Sequence, residues 1–282
     1  MFKHLSYFVV STIFCIFLSN RSFAEEQSLP LIPLPSVTGY ALGDGWAGAF
    51  GLKVESSPVY HGSEENIVEV KLEGAVQWRR GAHSIFLEGS DIDGLELGWR
   101  GLVQLDWFMQ AGAKHETVLP SGDTTTAGIK DFPHRGSHIF GFLESKYSLG
   151  ADWRSWVSGR ISVGPASFGY RGLIEVGHRF GHKLDGSGIE ISFYSSFADD
   201  VNLNNYFGIT ASDTVASGIE QTDLDGGYRS TGLNLIYRKT IIDNIQMTLD
   251  AGVEIYSHNI KESALVSDSP EASIATSVLW VF

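Results

Sequence analysis

The chain has 282 residues, 43% of them hydrophobic and 19% charged, with a formal net charge of −13. That balance excludes a disordered chain, and it excludes nucleic acid as a partner, because phosphate binding needs clustered Lys and Arg. Thirty-two glycines against eight prolines suit many strands joined by turns.

The first residues read as a secretory signal. Lys3 supplies the positive start, and Leu5 to Leu18 form an apolar stretch too short for a comfortable membrane span. Ser22-Phe23-Ala24 places small residues where signal peptidase needs them, so residues 1–24 are expected to be removed after Ala24. The single cysteine, Cys15, lies in this stretch behind bulky Phe14, which does not suit a lipoprotein signal. The mature chain is therefore expected to lack disulfides, although it enters an oxidising compartment. Residues 25–44, with Pro30, Pro33 and Pro35, predict an extended periplasmic segment. Residues 45–282 form the one folded domain.

After Ala24 there is no run of about 18 apolar residues, so a membrane-embedded mature chain must cross as a closed barrel. The periodicity from Trp46 onward is two. Val68, Val70, Leu72, Val76 and Trp78 share one face, and Glu69, Lys71, Glu73 and Gln77 the other. The same alternation sets Trp153, Val157, Ile161 and Val163 against Arg154, Ser158, Arg160 and Ser162. It sets Phe168, Tyr170, Ile174, Val176 and Phe180 against Arg171, Glu175 and Arg179. Ile245, Met247, Leu249, Val253 and Ile255 likewise oppose Gln246, Thr248, Asp250 and Glu254.

About twelve such segments start near Trp46, Ile67, His83, Leu95, Leu102, Ser137, Trp153, Phe168, Ile189, Gly227, Ile245 and Ala272, lengths suited to a tilted bilayer crossing. The pattern predicts an all-β, transmembrane, antiparallel up-and-down barrel, with ten strands as the alternative because the Leu95 and Leu102 segments are short. Every second connection is tight, including one placed at Arg100-Gly101. The others hold all the long loops: 56–66, 113–136, 198–226 and 258–271. Sorting of this kind marks an outer-membrane barrel with short periplasmic turns.

The sequence ends in Ser273-Ile-Ala-Thr-Ser-Val-Leu-Trp-Val-Phe282. Ile274, Val278, Trp280 and Phe282 share one face, and a last strand closing on an aromatic residue reads as the signal for the barrel assembly machinery. Trp46, Trp78, Trp107, Trp153 and Trp280 fall at predicted strand ends, where interfacial girdles form.

Chemistry is sparse. His178 and His182 would align on a helix, but here they span a strand end and a turn with no third ligand. Asp223-Leu-Asp225-Gly-Gly lacks the later Glu of a calcium loop, and Asp91-Ile-Asp93-Gly94 reads as a hairpin turn. There is no Gly-x-Ser-x-Gly elbow, and Ser217, Ser230 and His258 would meet only by coincidence. No catalytic, cofactor-binding or metal residue is expected. The inward charges Glu69, Lys71, Glu73, Arg154, Arg160, Arg171, Glu175, Arg179, Asp250 and Glu254 allow two readings. One is salt bridges filling a small lumen, which is favoured; the other is a narrow polar conduit.

Several stretches carry a resemblance: Ser57-Pro-Val-Tyr-His-Gly-Ser63, the run from Ile67 through Gly89, Asn205-Tyr-Phe-Gly-Ile-Thr210, Ala216-Ser-Gly-Ile219, and Ser267-Asp-Ser-Pro270. In this order the chain resembles the MltA-interacting protein (MipA)/OmpV family of outer-membrane proteins. It departs in ending Trp280-Val-Phe282 where the family often has Tyr-x-Phe. The resemblance implies a non-catalytic barrel in the outer membrane of a Gram-negative bacterium. It also implies an adaptor role, linking a lytic transglycosylase to a peptidoglycan synthase. A small diffusion channel, or a surface adhesin or ligand-binding barrel, stands as the alternative.

Overall fold

The computed structural model describes residues 44–89, 94–104, 106–117, 136–150, 153–181, 187–242 and 244–282. Ala24, the expected signal peptide, nearly all of the expected 25–44 segment, the Asp91–Asp93 turn and His182 lie outside them.

Twelve strands run in chain order: β1 (Gly45–Pro58), β2 (Asn66–Arg80), β3 (His83–Gly89), β4 (Glu96–Gln104), β5 (Trp107–Thr117) and β6 (Ser137–Ser148), followed by β7 (Ser155–Val163), β8 (Tyr170–Phe180), β9 (Gly188–Ala198), β10 (Gly227–Ile242), β11 (Ile245–Tyr256) and β12 (Glu271–Val281). Each pairs antiparallel with its neighbour, and β12 returns to β1 from Ala49↔Val281 to Ser56↔Ile274. The result is a closed up-and-down barrel of twelve strands, not ten. Closure leaves no strand edge, which is the condition for β-structure in lipid.

The alternation decides which side faces lipid. Val68, Val70 and Leu72 on β2 are 69%, 68% and 71% exposed, while Ala75, Gln77 and Arg79 on the other face are buried inside. Ile139, Ile161, Ile174, Phe193 and Ile274 continue this apolar outer band around the ring. Soluble monomers rarely display such a surface, and a continuous apolar band around a closed ring is what a bilayer covers.

The turn expected at Arg100-Gly101 is not there. β4 runs through this pair to Gln104, and β5 begins at Trp107. Arg-Gly looks like turn chemistry, but the Arg100 guanidinium faces inward, 3.1 Å from Glu88 Oε2 and 3.2 Å from Gln77 Oε1. Neutralised in this way, it can sit in the middle of a strand. All three connections longer than ten residues (118–136, 199–226 and 257–270) leave the same end of the barrel.

Trp46 pairs with Trp78, and with Trp107 and Trp280 these rings sit outside at the short-turn end. Tyr170, Phe197 and Tyr228 form the matching outer belt at the long-loop end. Trp153 is an exception among the expected girdle residues. It precedes β7 with φ 54°, is 1% exposed, and packs with Leu102 and Phe108 inside the short-turn end. Its neighbour Arg154 lies in that turn rather than on the inner wall, and its carbonyl accepts from Arg179 N at 2.7 Å.

Candidate functional site

The long loops fold back over the barrel. Between β9 and β10 lie two short helices, α1 (Asp200–Tyr206) and α2 (Ala211–Ser217); α3 (His258–Lys261) lies between β11 and β12. Asp199 starts α1 by accepting from Asn202 N at 2.8 Å, and it also holds Tyr170 N at 3.1 Å. Thr210 and Asp213 form a capping box on α2, and Gly218, with φ 75°, ends it. These local signals fix where the helices start, and their apolar residues fix how they dock.

Leu203, Tyr206, Phe207, Leu224, Ile260 and Val266 from the loops pack on Phe140, Phe168, Ala198 and Tyr256 at the top of the wall. A smaller cluster joins Tyr60, Ile209 and Leu265. Each fully buried side chain of this size contributes about 1.5–3 kcal/mol. Asparagines tie the backbones: Asn204 donates to Leu224 O at 2.8 Å and accepts from Leu224 N at 2.9 Å, while Asn202 donates to Phe168 O at 3.0 Å. The described loops thus make an apolar roof over a polar lumen. Phe168, expected on the outer face, belongs to this roof core.

Below the roof the lumen is a lattice of paired charges. Arg171 grips Glu116 with both terminal nitrogens, at 2.7 and 2.5 Å, and the Tyr206 hydroxyl donates to the same carboxylate. Arg160 lies 2.9 Å from Glu96 and 3.8 Å from Glu144, with its guanidinium 4.0 Å from the Phe142 ring centre. Glu190 receives Arg179 at 2.6 Å and Arg238 at 3.4 Å. Lys53 and Lys71 share Glu55, and Lys71 also reaches Glu69 at 2.8 Å. Outside the membrane-spanning strands, burial pushes the Tyr60 and Tyr206 hydroxyls above the usual tyrosine pKa.

Between the roof and the aromatic packing at the short-turn end remains a chamber of about 410 Å³. Its walls include His61, Lys114, Glu144, Lys146, Tyr194 and Arg229. The one metal-ligand grouping among the described residues is His61, Glu254 and Glu271, whose donor atoms lie within 4.8 Å of one another. Glu254 and Glu271 face each other across β11 and β12. Their oxygens are already engaged: Glu271 accepts from Tyr256 at 2.8 Å and from Gly62 N, and Glu254 accepts from Ser230.

Of the expected inward charges, Glu69, Lys71, Arg160, Arg171, Glu175, Arg179 and Glu254 make luminal pairs or hydrogen bonds. Ile274, Val278 and Trp280 face outward on β12, and Trp280 meets Phe50 edge-on at 5.5 Å and Phe282 at a tilt at 5.1 Å. Phe282 is fixed by two backbone bonds to Gly48, each 2.9 Å. His178 points outward and bonds Ser155 through Nδ1 at 2.7 Å. Ser217 lies on α2, Ser230 on β10 and His258 on α3, and among the described residues no hydrogen bond joins them. Asp223 and Asp225 are exposed, as expected of an acidic loop, but Leu224 between them anchors the roof.

Sequence reasoning missed the helical roof and the luminal groups Glu116, Glu144, Lys146, Glu190, Tyr206 and Arg229. The capping signals at Asp199 and Thr210 were readable; the partners of the charges, which lie on other strands, were not.

Several solved structures align with the chain. An outer membrane channel from Pseudomonas putida F1 aligns with a TM-score of 0.48 at 11% identity, over 86% of this chain and 97% of that one. The Ralstonia pickettii toluene transporter TbuX gives 0.42 at 11% identity, over 85% and 90%. A mutant Rh. blastica porin gives 0.33 at 13% identity over 75% of this chain, which spans only about half (55%) of that porin's length. No curated protein matches by sequence. The model of the family described as MltA-interacting protein MipA matches residues 50–282, almost the whole barrel, and the chain belongs to that family.

Proposed function

We propose that this chain is a non-catalytic scaffold in the outer membrane of a Gram-negative bacterium. Its task is to hold murein-remodelling enzymes, a lytic transglycosylase and a peptidoglycan synthase, near the cell wall. The observation that carries this reading is the filled lumen: an apolar roof latched by Tyr206 onto the Glu116–Arg171 pair. A barrel whose luminal charges are mostly paired under such a roof is a rigid anchor in lipid, suited to presenting a periplasmic face. The family's name points to the transglycosylase as one partner.

On the same reading, cleavage follows Ala24, residues 25–44 and the short turns form the contact surface, and Ile274, Val278, Trp280 and Phe282 guide insertion by the barrel assembly machinery. The test is direct capture. Immobilised barrel is expected to retain a purified MltA-type transglycosylase, and a synthase through it. Retention of neither contradicts the scaffold.

The chamber of about 410 Å³ with charged walls favours one second reading, a narrow channel for small solutes. Discrete conductance steps from the purified barrel in a planar bilayer would support it.

A further inference from the structure

Arg229 stands apart from the other luminal arginines. It sits at a bulge in β10, where the register with β9 shifts between Tyr228 and Ser230. Tyr228 is on the outer face, yet Arg229 and Ser230 are both buried inside, because the extra residue re-aims the side chain. Arg100, Arg160, Arg171, Arg179 and Arg238 each have a carboxylate within 4.0 Å. Arg229, only 7% exposed, has none among the described residues, and its buried Nε has no hydrogen-bond partner.

Its surroundings are aromatic instead. The guanidinium lies 5.6, 5.4 and 5.9 Å from the ring centres of Tyr206, Phe207 and Tyr256. Arg171 approaches the same Tyr206 ring at 5.9 Å, but Glu116 neutralises it. Glu116 thus neutralises Arg171 by contact, whereas Glu254, the carboxylate that attracts Arg229, does so from beyond 4.0 Å. Ring faces offset part of the desolvation of a buried cation; a second carboxylate would offset far more.

The space for that carboxylate is the adjoining chamber, which Arg229 lines. Lys146 lines it too, 3% exposed, over the Trp156 ring at 5.0 Å and with no carboxylate within 4.0 Å among the described residues. Glu116, Glu144, Glu175 and Glu254 face the space against Lys114, Lys146, Arg160, Arg171 and Arg229, so the lining leaves room for one further negative charge.

We propose that the luminal chamber binds a small organic monocarboxylate, with its carboxylate on the Arg229 guanidinium and its apolar body beside Tyr194 and Leu173. This binding does not depend on the scaffold reading and can stand or fall without it.

Titration calorimetry of the detergent-purified barrel tests it with benzoate, isosteric neutral benzamide and inorganic phosphate as probes. Benzoate is expected to bind, with benzamide and phosphate at least about tenfold weaker, the worth of one charge-assisted bidentate pair. Arg229→Met should lose benzoate by a similar factor while the ligand-free barrel resists heat at least as well as the parent, since an unpaired buried charge has been removed. Should that variant not fold, Arg229→Lys, which keeps the charge but not the fork, is expected to bind benzoate more weakly than the parent. The proposal is overturned by undetectable benzoate binding, by equal binding of benzamide or phosphate, or by undiminished affinity in the folded Arg229 variant.

Discussion

Tyr206, the last residue of α1, donates its hydroxyl hydrogen bond to Glu116 on β5, 90 positions away in the chain. One phenol thereby joins the loop roof to the barrel wall, at the carboxylate that Arg171 already holds from β8. Tyr206→Phe keeps the ring packed and removes this bond together with the one the hydroxyl accepts from Arg171 Nη1 at 3.3 Å, leaving Glu116 with Arg171 and with Lys114 at 3.6 Å. The expected cost is about 1–3 kcal/mol, concentrated in the roof. Hydrogen exchange should speed up over residues 199–226 while the strands keep their protection; slowing or spreading to all strands would contradict the latch.

The Glu116–Arg171 pair lets the penalty for a stranded buried charge be measured. Arg171→Met leaves Glu116 inside the lumen without its main partner and should cost about 3–5 kcal/mol. Glu116→Gln combined with Arg171→Met removes both charges and should recover most of that loss. The readout is the temperature at which the compact barrel, seen on gels of unboiled samples, converts to the unfolded band.

Alkali should open the roof before it unfolds the barrel. Burial raises the folded-state pKa of both Tyr60 and Tyr206. Below about pH 10 these tyrosines stay protonated whether the roof is docked or not, so their contribution is complete. Above that, the undocked tyrosines ionise first, and roof stability falls as pH climbs through the raised folded values. Tyrosinate absorbance should rise together with faster exchange in 199–226, and Tyr206→Phe should weaken that coupling.

Gly169 turns the chain between β7 and β8 with φ 64°, and a Cβ there would come within 2.1 Å of Asp199 Oδ1. Gly169→Ala should therefore displace the residue that caps α1, at about 1–3 kcal/mol. Protease cleavage in the α1 region should increase. Unchanged resistance would show that the cap is not held from this turn.

The barrel was legible because lipid and water select opposite side chains at a period of two, as the 69% exposure of Val68 against buried Gln77 illustrates. Local chemistry misled where a distant partner overrode it. Arg100-Gly101 looked like a turn, but Glu88 on β3 neutralises the guanidinium and Gln77 on β2 accepts a hydrogen bond from it. Trp153 and Phe168 fitted an outer face by parity, but both lie in connections, where parity has no meaning, and both turn inward. Arg229 was hidden for the same reason: a bulge breaks the alternation, and nothing in Gly227-Tyr-Arg-Ser-Thr231 announces it. The roof helices are too short to show a periodic stripe, although their caps were present in the sequence.

Electrical recording tests the filled lumen most directly. The purified parent barrel in a planar bilayer should show no sustained conductance, whereas replacing residues 199–226 with a short turn should produce discrete openings. Steady, ion-carrying steps from the unaltered protein would contradict a plugged anchor and return the chain to the company of open channels.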